Sequence, residues 1–214
     1  MIELATLQPA HAPPTVGVVS DEVDIALLAR WRSGERSAGE ELFLRQFDHL
    51  YRFFASKCDG DIDELVQSTL LACLHAKEQF RADSTFKAYL FTVARHELYR
   101  YLRARRRDQE RLDFSTISIA DLATTPGTRI ARDQAHRRLL DALRQLPVEQ
   151  QTLLELYYWE DLDVATLGTI FEAPPATIRT WLYRARQQLK DKLAADEVKL
   201  DDTLRKGRIA QPAS

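Results

Sequence analysis

The chain has 214 residues, of which 45% are hydrophobic and 29% are charged, and its formal net charge is −2. This composition is typical of a soluble globular protein with one mid-sized domain or two small ones. No stretch approaches the roughly 18 consecutive apolar residues of a membrane span, and the N-terminus lacks the basic and apolar parts of a secretory signal, so we expect a cytoplasmic protein.

The charges are unevenly distributed along the chain. Residues 1–80 carry seven Lys or Arg against thirteen Asp or Glu, whereas residues 95–111 carry seven against three and residues 174–192 carry five against one. The first segment therefore has a balance of −6, and each of the other two has +4. Such segregation allows the basic segments to bind a polyanion while the acidic part contacts another partner.

The first part of the chain is predicted to be helical, because its apolar residues recur with a helical period and no alternating strand pattern occurs. Gly34 is expected to end the first helix, and Ser37 with Glu40 forms a capping box for the second. Asp83 or Ser84 can cap the fourth helix. The predicted helices are residues 21–32, 37–54, 61–77 and 85–107.

Helical periodicity then fails, and small polar residues with a Pro-Gly pair predict a flexible linker. Four further helices follow, at residues 129–145, 147–158, 163–171 and 174–194, and prolines open two of them. The predicted fold class is all-α, with two small helical domains joined by the linker. The predicted divisions are a disordered N-terminal segment at 1–20, a first domain at 21–112, the linker at 113–128, a second domain at 129–195 and a tail at 196–214.

The stretch C-D-G-D-I-D-E-L-V-Q, residues 58–67, is either a metal loop or the acidic start of a helix. An EF-hand calcium loop that began at the first of these aspartates would need glycine at its sixth position and glutamate at its twelfth, where the chain has Glu64 and Leu70. A helix start fits better, because Asp61 or Asp63 can cap it and the other carboxylates lie at the positive end of its dipole.

The cysteines and histidines indicate neither a metal site nor an enzyme. Cys58 and Cys73 are expected to be reduced, with Cys58 exposed near a turn and Cys73 packed as a small hydrophobic residue, and a redox role stays open. The five histidines are scattered, and the glycines form no phosphate-binding loop. We therefore expect no metal, no cofactor and no catalytic residues.

Two of the later helices, joined by F-E-A-P, have the lengths and tight connection of a helix-turn-helix. The second of them has an apolar face on which Leu182, Ala185 and Leu189 lie within roughly 40° of Ile178. Its opposite face carries Arg179, Thr180, Tyr183, Arg184 and Gln187. This face is either a solvated surface or the surface that enters a DNA major groove, where arginine can read guanine edges or contact phosphate.

The segment from Phe80 to Arg107 interleaves aromatic residues with arginines, a combination that suits unstacked bases and a phosphate backbone. Most of these aromatic residues are expected to be core, Phe86 and Tyr89 among them. The arginines at Arg103 and at residues 105–107 are too concentrated for an ordinary solvated face.

Four segments follow one another in a fixed order: D-E-L-V-Q-S-T-L-L-A-C-L, F-R-A-D-S-T-F-K-A-Y-L-F-T-V-A-R, A-L-R-Q-L-P-V-E-Q-Q-T-L-L-E-L-Y-Y-W-E-D-L and A-P-P-A-T-I-R-T-W-L-Y-R-A-R-Q-Q-L. Together they resemble the successive regions of a bacterial extracytoplasmic-function (ECF) sigma factor, a small member of the sigma-70 family. The resemblance covers about residues 21–194 and has a linker in the expected place.

The resemblance implies a role for the acidic helix. In such sigma factors the helix that corresponds to D-E-L-V-Q docks on the clamp helices of the largest catalytic subunit of RNA polymerase. Its acid and amide groups would complement a basic partner. The family usually has glutamate at the position of Ser68. The implied polymerase contacts are Asp63, Glu64, Gln67, Ser68, Leu70 and Leu74.

The resemblance also implies that the next loop and helix read the −10 promoter element and help to open it. A flipped base loses stacking worth roughly a few kcal/mol and is held in a pocket. The implied −10 contacts are Phe80, Asp83, Ser84, Phe86, Lys87 and His96, with Arg95, Arg100 and Arg103 near the DNA backbone. His96 stands where the family commonly has asparagine.

In the second domain, the resemblance implies that the exposed face of the last helix reads the −35 element. Glu172 and Ala176 replace glycines that are usual in the turn and at the helix start, and Trp181 replaces a common arginine. Because Trp181 lies beside the apolar face, packing at the edge of the core competes with DNA contact. The implied −35 contacts are Arg179, Thr180, Trp181, Tyr183 and Arg184.

The predicted function is that of a sigma factor that binds core RNA polymerase and promoter DNA, with an anti-sigma factor as a further partner and without a small-molecule substrate. One alternative is a helix-turn-helix regulator whose N-terminal helices dimerise or sense a ligand. Another is a sigma-like protein that binds polymerase or an anti-sigma factor without directing transcription. Charge reversal at Arg179 and Arg184 would abolish promoter use in a sigma factor and leave the interaction protein unaffected.

Overall fold

The computed structural model describes residues 15–58, 60–75, 85–105, 112–122 and 134–209. Within these ranges the elements are helices and none is a strand; an isolated antiparallel bridge pairs Ser118 with Pro147. The all-α prediction is confirmed.

The helices form two units. The first unit contains α1 (Thr15–Arg32), α2 (Arg36–Ala55), α3 (Ile62–His75) and α4 (Phe86–Arg105). The second unit, after a short helix α5 (Ile119–Leu122), contains α6 (Gln134–Arg144), α7 (Val148–Tyr158), α8 (Val164–Phe171) and α9 (Pro175–Ile209). In the first unit each helix packs on the next, whereas in the second α6, α7 and α8 all pack on α9. The units also meet directly, since α4 packs against α8.

Two helices are longer than predicted. α1 begins at Thr15, inside the segment predicted to be disordered, and directly follows two prolines that suit a helix start. α9 continues to Ile209 through the predicted tail, where Glu, Lys, Leu and Arg, residues with high helix propensity, make up seven of the 14 residues from 196 to 209. The two helices therefore include residues 15–20 and 196–209, which the sequence analysis assigned to the N-terminal segment and the tail.

The start of α2 differs from the predicted capping box. Glu35, not Ser37, is the N-cap residue, and its side chain makes no capping hydrogen bond. The Glu35 carboxylate instead accepts hydrogen bonds from Arg30 Nε at 2.8 Å and from the Ser37 hydroxyl at 3.2 Å, so this hydroxyl does not cap the helix. Gly34 ends α1 as predicted, with a left-handed φ of 105° that favours glycine.

The contact between α1 and α2 is unusually close at Gly39. A Cβ atom at this position would lie 2.5 Å from the ring of Trp31, so only glycine allows the tryptophan to pack there. The buried Asp24 carboxylate fixes the same helix pair by accepting hydrogen bonds from Arg45 at 2.8 Å and Gln46 at 2.6 Å. These contacts hold α2 and the helices that follow it in place.

Part of the predicted flexible linker is ordered, which corrects that prediction for residues 113–122. The Val148 N–H donates to the Ile117 carbonyl at 2.9 Å, and the Glu149 N–H donates to the Phe114 carbonyl at 3.1 Å. The first N–H groups of a helix have no partner within it. Since Pro147 gives α7 no side-chain cap, this segment supplies the missing acceptors.

A buried ionic network joins the two units. The Glu155 carboxylate of α7 forms an ion pair with Lys57, at the end of α2, and accepts a hydrogen bond from the Ser56 hydroxyl at 2.8 Å. Gln151 Nε2 donates to the other oxygen of the Glu155 carboxylate at 2.7 Å, and Lys57 Nζ donates to the Phe53 carbonyl at 2.9 Å. The charges are therefore paired and hydrogen-bonded, as burial requires.

Neither cysteine is in a disulfide and both are buried, so the predicted exposure of Cys58 is wrong. Its N–H donates to the Phe54 carbonyl at 2.8 Å, which folds the end of α2 inward. Burial raises the pKa of the Cys73 thiol to about 12. Since the thiolate is the reactive form, Cys73 is a packing residue in this fold.

Candidate functional site

The six residues expected to contact polymerase lie on α3. Asp61 directly precedes this helix, and its carbonyl accepts the Leu65 N–H at 3.0 Å, so Asp61 occupies the N-cap position. One face of α3 is buried: Leu65, Val66, Thr69 and Cys73. Of the expected contacts, Ser68 and Leu70 are half-buried. The exposed ones are Asp63, Glu64, Gln67 and Leu74.

An exposed apolar stripe on α2 was not predicted. Leu44 is 76% exposed, and the exposed rings of Phe47 and Tyr51 stack with their centroids 6.3 Å apart. The three residues follow the i, i+3, i+7 spacing that also marks a core stripe, so the sequence pattern alone assigned them no separate role. Large exposed apolar residues on one helix face mark an interaction surface.

The expected −10 contacts fall into three groups. Phe80, Asp83 and Ser84 lie outside the described residues. Phe86 is only 1% exposed and packs near Phe43 and Tyr89, so its assignment to DNA contact is corrected. Its ring fills the core beneath α4 instead. The remaining expected contacts lie on α4: Lys87, Arg95, His96, Arg100 and Arg103.

Two of the α4 cations are covered by the second unit. Lys87 Nζ donates to the Glu160 carbonyl at 3.0 Å and lies 3.4 Å from the Glu160 carboxylate. Arg95 is 8% exposed, with its guanidinium 5.1 Å from the centre of the Phe171 ring and 3.7 Å from the Glu172 carboxylate. In this arrangement Lys87 is only partly accessible and Arg95 is inaccessible to DNA.

The other three α4 residues are exposed. Arg100 pairs with Glu97 one turn earlier, and the Arg103 guanidinium lies 5.1 Å from the centre of the Phe114 ring. Partial desolvation of its ring, followed by the charge of Arg95, lowers the pKa of His96 below its usual 6.5. His96 is therefore predominantly neutral at pH 7 and can accept as well as donate a hydrogen bond.

The helix-turn-helix is formed by α8 and α9. Asp163 caps α8 by accepting the Thr166 N–H at 2.7 Å. Gly168 allows the turn to close, since a Cβ atom there would lie 2.8 Å from the Ala173 carbonyl oxygen. Glu172 ends α8 in the left-handed region with φ 54° and ψ 41°, a conformation that favours glycine.

The start of α9 has the two faces that its sequence predicts. The inward residues Ile178, Leu182, Ala185 and Leu189 are all buried. The opposite arc is exposed, and Tyr183 is 62% exposed at its centre. Exposed arginine, threonine and tyrosine side chains on the second helix of a helix-turn-helix can reach base edges and phosphates. This exposed arc consists of Arg179, Thr180, Tyr183, Arg184 and Gln187.

Trp181 lies at the edge of this arc. It is half-buried, and its ring meets Phe171 edge-to-face with centroids 6.5 Å apart. Packing at the edge of the core is therefore its observed role. Arg186, which the sequence left unassigned, donates a hydrogen bond to the Tyr158 hydroxyl at 2.7 Å and so fixes α9 against α7.

Comparison with known families identifies both units. Residues 43–108 match the family model described as Sigma-70 region 2, and residues 136–189 match the model described as Sigma-70, region 4. The two matches together cover more than half of the chain and follow the order of the family. The chain belongs to the sigma-70 family. A helix-turn-helix regulator would explain only the second match, so the two-region layout favours a sigma factor.

Curated relatives assign this sigma factor to the ECF group. It is 26% identical over 183 residues to the ECF RNA polymerase sigma-E factor of Haemophilus influenzae, a match that covers 79% of this chain and 95% of the relative. The sigma-E factor of Escherichia coli strain K12 is 24% identical over 180 residues, covering 79% and 94%. The predicted ECF-type sigma factor is confirmed.

Two solved structures share the fold of this sigma factor. CnrH, in complex with the cytosolic domain of CnrY, aligns with a TM-score of 0.59 at 22% identity and covers 81% of this chain and 99% of that one. The sigma factor RpoE of Bartonella quintana, in complex with the anti-sigma factor NepR, also aligns at 0.59, with 24% identity and coverage of 73% and 97%.

No helix in the described ranges of this sigma factor has the length and apolar character to cross a membrane. No group of three or more His, Cys, Asp and Glu residues in the same ranges is placed to hold a metal ion.

Proposed function

We propose that this ECF sigma factor binds core RNA polymerase through the exposed face of α3, contacts the −10 element through α4 and contacts the −35 element through the exposed arc of α9. It acts in the cytoplasm as a specificity factor without an active site, and bond formation belongs to the polymerase. The main support for this proposal is that the acidic face of α3 and the basic arc of α9 are both exposed, each on its own unit.

The α3 surface has the chemistry of a dock for a basic partner. Asp63 and Glu64 lie in the first helical turn, where negative side chains interact favourably with the helix dipole, and Gln67 lies one turn further along the same face. Leu74 extends the face with exposed apolar surface. In such an interface the charged residues at the rim speed association, and the apolar contacts at the centre become buried in the complex.

The α9 arc has the chemistry of a major-groove reader. Arg179 and Arg184 can form bidentate hydrogen bonds with guanine or contact phosphates, and Tyr183 and Thr180 can contact further base or backbone atoms. The Asp163 cap and the tight turn at Gly168 fix the helix against its own unit. These contacts place the arc on the outer side of its unit, where DNA can reach it.

An anti-sigma factor is the further partner we propose. Bartonella quintana RpoE is bound to an anti-sigma factor in its solved structure, and this chain shares its fold. The exposed apolar stripe of Leu44, Phe47 and Tyr51 offers additional surface to polymerase or to such an inhibitor.

Run-off transcription tests the proposal. Bacterial core polymerase is incubated with fragmented genomic DNA, with and without the purified protein, and new start sites are mapped. New transcripts that share two spaced upstream elements are expected. Binding to core enzyme without any new start would favour the sigma-like interaction protein, and binding to duplex DNA alone would favour the regulator.

Charge reversal at Glu64 tests the polymerase-binding surface of α3, with binding to core polymerase as the quantity measured. Glu64→Arg is expected to weaken core binding at least tenfold, since it opposes the complementary charge. The matched control is Glu40→Arg, a charge reversal at an exposed acid near the start of α2. Equal loss in both variants would show that general charge, and not the α3 face, governs binding.

A further inference from the structure

A cavity of about 220 Å³ lies between the ordered linker segment, the start of α7 and the early turns of α9. Its lining residues are Ser115 from the linker segment, Glu149, Gln150 and Leu153 from α7, and Trp181 and Arg184 from α9. Pockets for drug-sized ligands measure roughly 300–1,000 Å³, so this smaller cavity suits a single ring system such as one nucleobase.

The lining contains an acceptor that the fold does not use. Gln150 Oε1 is buried and has no hydrogen-bond partner among the described residues. A buried acceptor without a partner costs free energy, and native structures contain few of them. A ligand that donates a hydrogen bond inside the cavity would satisfy this atom.

The two charged groups of the lining are also available to a ligand. Glu149 accepts one long hydrogen bond, from the Tyr99 hydroxyl at 3.4 Å, and its other carboxylate oxygen pairs with no described residue. The Arg184 side chain is exposed and forms no ion pair with a described residue. A cation and an anion therefore line the same cavity without neutralising each other.

The apolar part of the lining suits a flat ring. Trp181 is half-buried, with its ring edge-to-face against Phe171 at 6.5 Å between centroids, and Leu153 is buried. Nucleobases stack on aromatic side chains irrespective of base identity, because every base has a π-face. Selection among bases would therefore depend on the polar groups.

Guanine is the base whose edges match these polar groups. Its O6 and N7 atoms accept a bidentate pair of hydrogen bonds from arginine, as Arg184 can supply. Its N1–H and N2 amino groups donate, so they suit the acceptors of Glu149 and Gln150. Adenine has an amino donor in place of O6 and no donor at N1, so it would oppose the arginine and leave the carboxylate without a donor.

We propose that this cavity binds a guanine base, stacked on Trp181, with Arg184 at its O6/N7 edge and with Glu149 and Gln150 at its donor edge. The sugar and phosphate extend toward solvent. Such a base has two sources, a free nucleotide and a single-stranded nucleic acid, and the test separates them.

A bound guanine would also affect DNA binding, because Arg184 belongs to the exposed arc of α9. The arginine that holds the base is withdrawn from the major groove. This consequence rests on the proposed function, in which the arc contacts the −35 element, whereas the guanine site itself does not depend on that function.

The test is isothermal titration calorimetry of the full chain with GMP as the probe. We expect saturable binding at one site per chain, with AMP bound at least about tenfold more weakly. A single-stranded oligothymidine with one central guanine is the second probe, and plain oligothymidine is its control. Tighter binding of the guanine oligonucleotide than of GMP would assign the base to nucleic acid, and the reverse order would assign it to a free nucleotide.

Two variants test the assigned contacts. Glu149→Gln should weaken GMP binding at least about tenfold and bring the affinities for GMP and AMP closer, since a glutamine amide can pair with adenine. Gln150→Leu should also weaken GMP binding but leave the protein at least as stable, because it removes a buried oxygen without a partner. Asp191→Asn removes an exposed charge elsewhere on α9 and is the matched control.

Several results would overturn the inference. They are the absence of saturable binding to either guanine probe, equal affinities for GMP and AMP, and folded Glu149→Gln or Gln150→Leu proteins that bind GMP as well as the control does. Circular dichroism establishes that each variant is folded. A purely structural Gln150 would give a stable leucine variant with unchanged GMP affinity.

The effect on DNA is measured with a duplex that carries the upstream element found by run-off transcription. Saturating GMP should raise the Kd of the protein for this duplex at least about fivefold, since one arginine contact is lost. An unchanged Kd would contradict the placement of Arg184 at the base. Absent core binding by the wild-type protein would remove the proposed function alone, because the GMP titration tests the site without polymerase or promoter.

Discussion

Lys57 and Glu155 form an ion pair across the two units, 98 positions apart in the chain, with side-chain exposures of 0% and 3%. Removing either partner leaves an uncompensated buried charge. We therefore expect Lys57→Ala or Glu155→Ala to lower the free energy of unfolding by about 3–5 kcal/mol. The apolar double variant Lys57→Met/Glu155→Leu should lose much less, because neither charge is then buried. Urea unfolding of the three proteins measures the effect.

The exposed pair Arg36–Glu40 provides the control for this prediction. It lies on one turn of α2, with side-chain exposures of 93% and 65%. Alanine at both positions should change the free energy of unfolding by less than about 0.5 kcal/mol. If the single variants at Lys57 and Glu155 were as mild as this control, the pair would contribute no more than a surface contact.

Charge reversal on the α9 arc should abolish promoter use without unfolding the protein. Arg179→Glu/Arg184→Glu is expected to reduce promoter-specific transcripts more than tenfold, since each lost arginine contact costs about 1–3 kcal/mol. Binding to core polymerase, measured by fluorescence anisotropy, should stay near the wild-type level. Arg137→Glu, at an exposed position of α6, is the matched control and should retain transcription.

Two positions near the C-terminal end of α8 should respond in opposite directions. Glu172→Gly relieves a left-handed non-glycine residue and should raise the free energy of unfolding by about 1 kcal/mol. Gly168→Ala should lower it by about 1–3 kcal/mol, because the new methyl group would meet the Ala173 carbonyl oxygen at 2.8 Å. Gly60→Ala is the control, since nothing lies within 4 Å of that position. A Gly168→Ala protein as stable as Gly60→Ala would refute the packing argument.

His96 should make stability depend on pH. Its pKa is lowered in the folded protein, so the unfolded chain takes up the proton near pH 6.5 while the folded protein does so only at lower pH. The unfolded state then binds more protons as the pH falls, and the free energy of unfolding decreases below about pH 6.5. His96→Asn should weaken this dependence. An NMR titration midpoint of the His96 ring at or above 6.5 would contradict the prediction.

The sequence predicted those features that depend on neighbouring residues. The inward face of α9, from Ile178 to Leu189, and the exposed arc around Tyr183 follow from helical periodicity alone. The stop at Gly34 follows from the conformational freedom of glycine. The expected contacts on α3 came from family resemblance, and their exposure at Asp63 and Glu64 agrees with that role while leaving it a prediction.

Features that depend on contacts between distant residues were not predictable in this way. Nothing near Arg95 in the sequence indicates that Glu172 will cover it, and nothing near His49 indicates its pairing with Glu160, 111 positions away. The ordered conformation of the linker segment was equally unpredictable from its own sequence, because it depends on hydrogen bonds from the first turn of α7. Phe86 was assigned both to core and to DNA, and only its burial decides between them.

The length of α9 has a mechanical consequence. The helix runs unbroken from Pro175 to Ile209, so at 1.5 Å per residue it extends about 39 Å past Tyr183. A helix of this length can act as a lever, and its short arm carries the arc that we propose enters the DNA groove. A partner that tilts its far end would rotate the groove-facing side chains without touching them, and promoter choice would then be open to control from a distance.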